Sequence, residues 1–327
     1  MIIDMEHHFS TEEQLRKRGA KSDRPERTWG ANGRLSYRVS LAAGRIEEHL
    51  RFMDEAGIDM AVLTTNFALV DFDEAKRWND VVAKVVKAKP ERFIAFTPAH
   101  PLGGEAAFKE MERAINELGM RGVHINARPQ GRHLDSRELW PFYEKVSELG
   151  VPIDVHIWGG DDLEFLHAPY ALHYVMAREY DISAATLRVC LGGVLEDFPD
   201  LVFIMNHFGG GVSAVMERVD VYMNYLGPGF YSGKPLISKP WREYFNKLYF
   251  SMGGREAGIA SVKCALTTIS PRKLMFGTDW SWNFAGNPQG AKRYINEMRK
   301  LDLPEGEIDA MLGGNAAELL GIQRIFG

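Results

Sequence analysis

Short apolar runs rich in β-branched and aromatic residues recur along this chain. They are Ile2–Glu6, Met60–Thr65, Phe93–Thr97, Gly122–Asn126, Pro152–His156, Val202–Asn206, Leu248–Ser251 and Leu274–Gly277. Runs of this length and composition predict buried strands. The stretches between them follow a helical period. Phe108, Met111, Ile115 and Leu118 mark one face of a helix, and Ile46, Leu50 and Met53 do the same ahead of Gly57. Gly119 and Gly150 follow helical stretches where a left-handed cap is expected. Eight strands alternating with helices predict a parallel sheet, most simply an α/β fold of the (β/α)8 TIM-barrel type. An open, doubly wound sheet is the alternative, but no Gly-x-Gly-x-x-Gly turn follows the first strand.

Two segments are long for strand-to-helix connections. Ser10 to Ala43, after strand 1, is polar and rich in Arg and Gly. Phe208 to Trp241, after strand 6, holds Gly209-Gly210-Gly211, a Met- and Tyr-bearing stretch and Gly227-Pro228-Gly229. Both are expected to lie over the catalytic face as loops or lids. Neither a repeat nor a linker divides the 327 residues, so a single domain over 1–327 is expected. A net charge of −5 provides no basic footprint for nucleic acid or an anionic membrane. Only Cys190 and Cys264 are present, which excludes a disulfide framework and suits a reducing, cytoplasmic compartment. No signal peptide is expected at the N-terminus, and no window reaches the apolar length of a membrane span.

The candidate chemistry sits at strand ends. In a regular first strand Asp4, Glu6 and His8 share one side while Met5 and His7 share the other. Glu6 and His8 then lean toward a common point. Three later runs also end in a metal-capable side chain: Val151 to His156, Leu201 to His207 and Lys273 to Asp279. Any one of these histidines alone reads as a core or surface residue. Together at the strand ends of one barrel, where all C-termini meet, Glu6, His8, His156, His207 and Asp279 point to a divalent ion. Imidazole and carboxylate ligands without thiolates suit catalytic Zn²⁺, Mn²⁺ or Fe²⁺ rather than structural zinc. His124 falls inside a strand and is read as a packing residue, and His7 points away from the site.

At this point the chain resembles the amidohydrolase superfamily. The similar branch holds aminocarboxymuconate-semialdehyde decarboxylase and the γ-resorcylate, 2,3-dihydroxybenzoate and 5-carboxyvanillate decarboxylases. The likeness is carried by Glu6-His7-His8-Phe9, Gly122-Val123-His124-Ile125-Asn126 with Gln130-Gly131-Arg132-His133-Leu134-Asp135, and Pro152-Ile153-Asp154-Val155-His156. It continues in Phe198-Pro199-Asp200-Leu201 through His207-Phe208-Gly209-Gly210, in Phe276-Gly277-Thr278-Asp279-Trp280 and in Gly314-Asn315-Ala316-Ala317. The resemblance implies that Glu6, His8, His156 and Asp279 bind one Zn²⁺ or Mn²⁺ per subunit, with His207 as a non-ligating acid/base or substrate-polarising histidine. Arg218, eleven residues after His207, matches a carboxylate-binding arginine that in some relatives reaches a neighbouring subunit. A helix-surface arginine paired with Glu217 or Asp220 is the other reading. Two departures stand out. Glu6-x-His8 replaces the commoner His-x-His, and Gly210 stands where the aromatic decarboxylases carry a glutamate.

The implied activity is a metal-dependent, non-oxidative decarboxylation of a small aromatic or muconate-type carboxylic acid, with Asp279 or His207 supplying the proton. Hydrolysis of an ester, lactone, amide or C–C bond by a metal-activated water is the rival on the same residues. A non-catalytic barrel is the third reading; it predicts no bound metal. Trp158, Trp280, Trp282 and Phe284 are candidate aromatic walls, with core packing as the other explanation. A homodimer or homotetramer is expected from the resemblance and from the aromatic insertion around Tyr222, Tyr225, Phe230 and Tyr231.

Overall fold

Eight parallel strands close into a barrel in the computed structural model, which describes residues 1–24, 26–29, 35–65, 71–157, 172–225, 236–280 and 287–322. The strands are β1 (Ile3–His8), β2 (Met60–Thr64), β3 (Phe93–Ala95 continuing as Thr97–Pro98), β4 (Val123–Asn126), β5 (Ile153–His156), β6 (Phe203–Met205), β7 (Tyr249–Ser251) and β8 (Leu274–Met275). Strand β3 bends at Phe96. Its first half pairs with β2, where the Phe96 N–H donates to Leu63 O at 3.0 Å. Its second half pairs with β4, where the Thr97 N–H donates to Gly122 O at 2.9 Å. The ring is completed between β8 and β1 by Met5 N–H to Phe276 O at 2.9 Å and His8 N–H to Trp280 O at 2.8 Å. The predicted strands are all present, with the first running two residues further than expected.

The pleat sorts each strand into two environments. Val123, Ile125, Ile153, Val155, Phe203, Met205, Phe250, Leu274 and Phe276 face outward into the main core, beneath the helices. Ile3, Met5, Met60, Val62, Ile94, Phe96, Ile204 and Met275 form a separate inner plug, closed by Ala316, Ala317 and Leu320 at the C-terminal helix Asn315–Leu319. The plug fills the barrel below the strand ends, so the polar residues above it meet over an apolar floor.

Strand β1 departs from regular alternation. Asp4 stands opposite Ala61 and His7 opposite Leu63, so Met5 and Glu6 share the single partner position of Val62. This two-against-one arrangement is a β-bulge. It moves Asp4 to the outer side with His7, correcting the expectation that Asp4 joins Glu6 and His8, and leaves Met5 in the inner plug. Without the extra residue, Glu6 and His8 would share a face with Asp4, and Met5 would face the helices.

Of the surrounding helices, Ile46–Ala56, Gly104–Asn116 and Trp140–Leu149 fall where the spacing predicts them. Gly57 (φ +81°) and Gly150 (φ +64°) are left-handed caps; Gly119 (φ +76°) is left-handed two residues beyond its helix cap. The segment after β1 is not a plain loop. It contains a short helix, Glu12–Lys17, and an antiparallel hairpin of Glu26–Trp29 with Leu35–Val39. Among the described residues, no helix is long and apolar enough to cross a membrane.

Candidate active site

Glu6, His8, His156 and Asp279 each aim one ligand atom at a common point, and these four atoms lie within 4.8 Å of one another. All four side chains are buried. Each of the first three is oriented by a hydrogen bond on its other polar atom. His8 Nδ1 lies 2.8 Å from the Thr64 hydroxyl at the end of β2, and His156 Nδ1 lies 3.2 Å from the Ile157 carbonyl. An Nδ1–H donated to those oxygens leaves each Nε2 lone pair facing the centre. Ser251, at the end of β7, donates its hydroxyl to Glu6 Oε2 at 2.7 Å, which leaves Oε1 directed inward. Glu6 Oε1, His8 Nε2 and His156 Nε2 are buried without a well-directed hydrogen bond, although His8 Nε2 sits 2.9 Å from Asp279 Oδ1 and His156 Nε2 sits 3.5 Å from Glu6 Oε1. Buried lone pairs of this kind are costly unless something cationic satisfies them. The two carboxylates and two neutral imidazoles fit a divalent metal ion at one site.

The electrostatics favour the same occupant. Burial pushes His156 down to about 3, so its imidazole is neutral and available as a ligand at neutral pH. Burial opposes ionisation of Glu6, but the facing His207 and His156 outweigh it and hold its carboxyl well below the usual range. Burial also opposes a charge on His8, yet Asp279 outweighs it and raises the imidazole. A metal ion binding here therefore competes with a proton for His8.

His207 stands beside the cluster rather than in it. Its Nε2 is 3.0 Å from Glu6 Oε1 and 4.0 Å from Asp279 Oδ2, and its Nδ1 is 3.1 Å from Glu179 Oε1. Burial lowers its proton affinity, but Glu179 and Glu6 together raise it well above the ordinary value. The ring is set by unusual backbone. His207, Phe208, Gly209, Gly210 and Gly211 have φ of +52°, +56°, +63°, +69° and +69°, a turn of left-handed helix directly after β6. Each L-residue there costs about 1–2 kcal/mol. A side chain at Gly253 would be pressed against the ring, since a Cβ there meets His207 Nδ1 at 2.9 Å.

Asp279 is also left-handed, at φ +49°. Its turn is pinned by Asp4, which accepts the Thr278 N–H at 2.8 Å and the Thr278 hydroxyl at 2.5 Å. Asp4 further contacts His7 Nδ1 at 2.9 Å, and His7 Nε2 lies 3.0 Å from His49 Nδ1. Trp280 stacks on His7 with ring centroids 5.0 Å apart. It therefore packs behind β1 and forms no wall of the site. Trp158, Trp282 and Phe284 lie outside the described residues.

His124 is more than a packing residue. Its Nδ1 is 2.6 Å from Asp154 Oδ2, inside the barrel, and its ring centroid is 5.7 Å from that of His156. Asn206 Nδ2, 3.4 Å from Asp154, and the Ser251 hydroxyl, 3.0 Å from the Asn206 carboxamide, extend this layer to Glu6. Along the chain, His124 and Asp154 are marked only by inward pleat positions two residues before the ends of β4 and β5, and Asn206 and Ser251 only by inward positions at the ends of β6 and β7. Glu179, 28 residues from His207, carried no local signal at all. Arg218 is exposed on the short helix Met216–Asp220, its guanidinium 5.5 Å from the Tyr222 ring centroid. Asp220 is engaged instead by Arg242, at 2.5 Å, and by the Trp241 indole N–H, at 3.1 Å. Tyr225's side chain, Phe230 and Tyr231 lie outside the described residues.

Comparison with known proteins follows this geometry. The γ-resorcylate decarboxylase of Polaromonas sp. strain JS666 is 27% identical, over 98% of this chain and 99% of that protein. A 2-keto-4-carboxy-3-hexenedioate hydratase of Sphingobium sp. is 30% identical, over 65% of this chain and 66% of that protein. The crystal structure of a dihydroxybenzoic acid decarboxylase from Polaromonas sp. JS666, with bound manganese and the inhibitor 2-nitroresorcinol, superimposes with a TM-score of 0.78. It is 24% identical and covers 99% of this chain and 97% of that one. The family model described as amidohydrolase matches residues 3–322, and the chain belongs to that family.

Proposed function

We infer that this chain is a metal-dependent, non-oxidative decarboxylase of a small aromatic or muconate-type carboxylic acid. The observation that carries the reading is the convergence of Glu6, His8, His156 and Asp279 beside His207. An ion held by those four residues supplies Lewis acidity and a template for substrate oxygens. Zn²⁺ and Mn²⁺ both suit the donor set, and manganese in the related crystal structure favours the latter. One ion per subunit is expected.

Asp279 and His207 handle the proton. One of them delivers it to the carbon bearing the carboxylate, where a π electron pair of the substrate forms the new C–H bond; the C–C bond to the carboxylate then breaks, its electron pair restores the π system, and CO₂ departs. The net change is the carboxylate and one proton going to the C–H product and CO₂, so no oxidant or organic cofactor is required. The apolar plug and closed barrel floor exclude water from below, which strengthens the buried charges. Arg218 is proposed to hold the substrate carboxylate from a neighbouring subunit of a homodimer or homotetramer, since its own-chain position is exposed. The segments 10–43 and 208–241 are proposed to select the substrate from above. One catalytic domain in a reducing cytoplasm, without nucleic-acid or membrane partners, completes the reading.

A second reading, chemistry by a metal-activated water, is favoured by the hydratase relative at 30% identity. Incubating metal-loaded enzyme with γ-resorcylate and carboxymuconate-type acids in H₂¹⁸O separates the two. Release of CO₂ with one solvent proton in the product supports decarboxylation. Incorporation of ¹⁸O into the organic product, with no CO₂, overturns it.

A further inference from the structure

At position 210 the turn that carries His207 has no room for a side chain that could orient the ring. At Gly210 a Cβ would meet the Glu179 carbonyl oxygen at 2.0 Å, Ser183 N at 2.7 Å and Ile182 Cγ2 at 2.8 Å. The helix Arg178–Leu191, which follows β5, thus lies directly against this glycine. That approach brings Glu179 to His207, whose Nδ1 is 3.1 Å from Glu179 Oε1. Gly253 closes on the same edge of the ring, where a Cβ would press on Nδ1. The Glu179 side chain is about one-quarter exposed (28%), so it reaches the buried ring from the rim of the site.

We propose that Glu179 is the positioning carboxylate of His207, supplied across the fold by a neighbouring helix because the histidine's own turn must remain glycine at position 210. With Nδ1–H donated to Glu179, the ring is held in one orientation and Nε2 is the edge turned toward Glu6 and Asp279. Glu179 acts through His207 and does not touch the ligand cluster. The proposal rests on the decarboxylase reading only for its effect on turnover, because the orientation of the ring is measurable without any reaction.

Two measurements test it. The first compares E179A, E179Q, H207N and the double variant E179A/H207N on γ-resorcylate, with metal content checked for each. E179A is expected to lose about 30–100-fold in kcat with KM within about 2-fold. E179Q, whose carboxamide oxygen still accepts from Nδ1–H, is expected to stay within about 10-fold of wild type, and the double variant to be no slower than H207N. A kcat for E179A within 3-fold of wild type, losses that multiply in the double variant, or loss of the ion in E179A overturns the proposal. The second records ¹⁵N-histidine NMR spectra of metal-free protein, with His207 assigned through H207N. A hydrogen-bonded His207 Nδ1–H signal present in wild type and E179Q but absent from E179A is expected; its persistence in E179A refutes the assignment. If wild type decarboxylates neither γ-resorcylate nor the carboxymuconate-type acids, the decarboxylase reading fails while the NMR comparison still decides the role of Glu179.

Discussion

Gly210 and Gly211 share φ of +69° but differ in what lies beside them, which makes them a matched pair for testing the left-handed turn. At Gly211 nothing lies within 4 Å of a built Cβ, so Gly211→Ala adds only the left-handed penalty of about 1–2 kcal/mol. Gly210→Ala adds the same penalty and places a methyl 2.0 Å from the Glu179 carbonyl. That atom is helix backbone and cannot swing aside, so overpacking adds about 1–3 kcal/mol. The expected losses are therefore about 1–2 kcal/mol for G211A and about 2–5 kcal/mol for G210A. At roughly 2 °C per kcal/mol for a chain of this size, the melting points fall by about 2–4 °C and about 4–10 °C. The assay is thermal unfolding by circular dichroism in EDTA, so that metal linkage does not mask the difference. G210A should also lose turnover through the displaced Glu179, whereas G211A should retain it. If G211A melts as low as G210A, or G210A melts within 1 °C of wild type, the packing of helix Arg178–Leu191 on this turn is refuted.

Three further outcomes are expected. In metal-free protein, His156 stays neutral when folded down to about pH 3, whereas the unfolded imidazole protonates near its ordinary value of 6.5. The unfolded state then binds the extra proton between those values, so stability falls as pH drops below about 6.5, by about 2 kcal/mol from this group at pH 5. Urea midpoints in EDTA at pH 7 and pH 5 check this, and H156Q should flatten the acid side. Ser251→Ala frees Glu6 Oε2 and should weaken metal binding by about 10–100-fold in a competition titration, with the fold unchanged by circular dichroism. Arg218→Ala should raise KM at least about 10-fold with metal content intact, and mixing it with H8N subunits under exchange conditions should restore part of the activity. Recovery no greater than the sum of the two separate variants excludes action across subunits.

How far the sequence could be read depended on the range of each interaction. The eight strands and the main helices were legible because burial on a pleat or a helical face writes a local period of apolar residues. The candidate ligands were legible for a related reason: Glu6, His8, His156 and Asp279, like His207, each end or follow such a run, and a parallel barrel gathers strand ends whatever the loops do. The bulge in β1 was not legible, because regular alternation and a one-residue slip leave the same short string of apolar and polar letters. Only the register against Val62 separates them. Arg218 was legible as a charge but not as a contact; its Asp220 neighbour is satisfied by Arg242 and Trp241, from a helix more than twenty residues on.

By itself, then, the sequence determined the barrel and five metal-capable side chains at its strand ends, since each follows from residue type and local period; the set of four candidate ligands came from the family resemblance. The tertiary structure decided which atom of Glu6, His8 and His156 faces the common point, through Thr64, Ile157 and Ser251 at three different strand ends. It also decided the partner of His207. Gly210 reads along the chain as a lost carboxylate, yet in three dimensions it is the gap that lets a helix approach and bring Glu179 to the imidazole. Hydrogen bonds of this kind join groups by distance in space, and a one-dimensional pattern has no term for that distance.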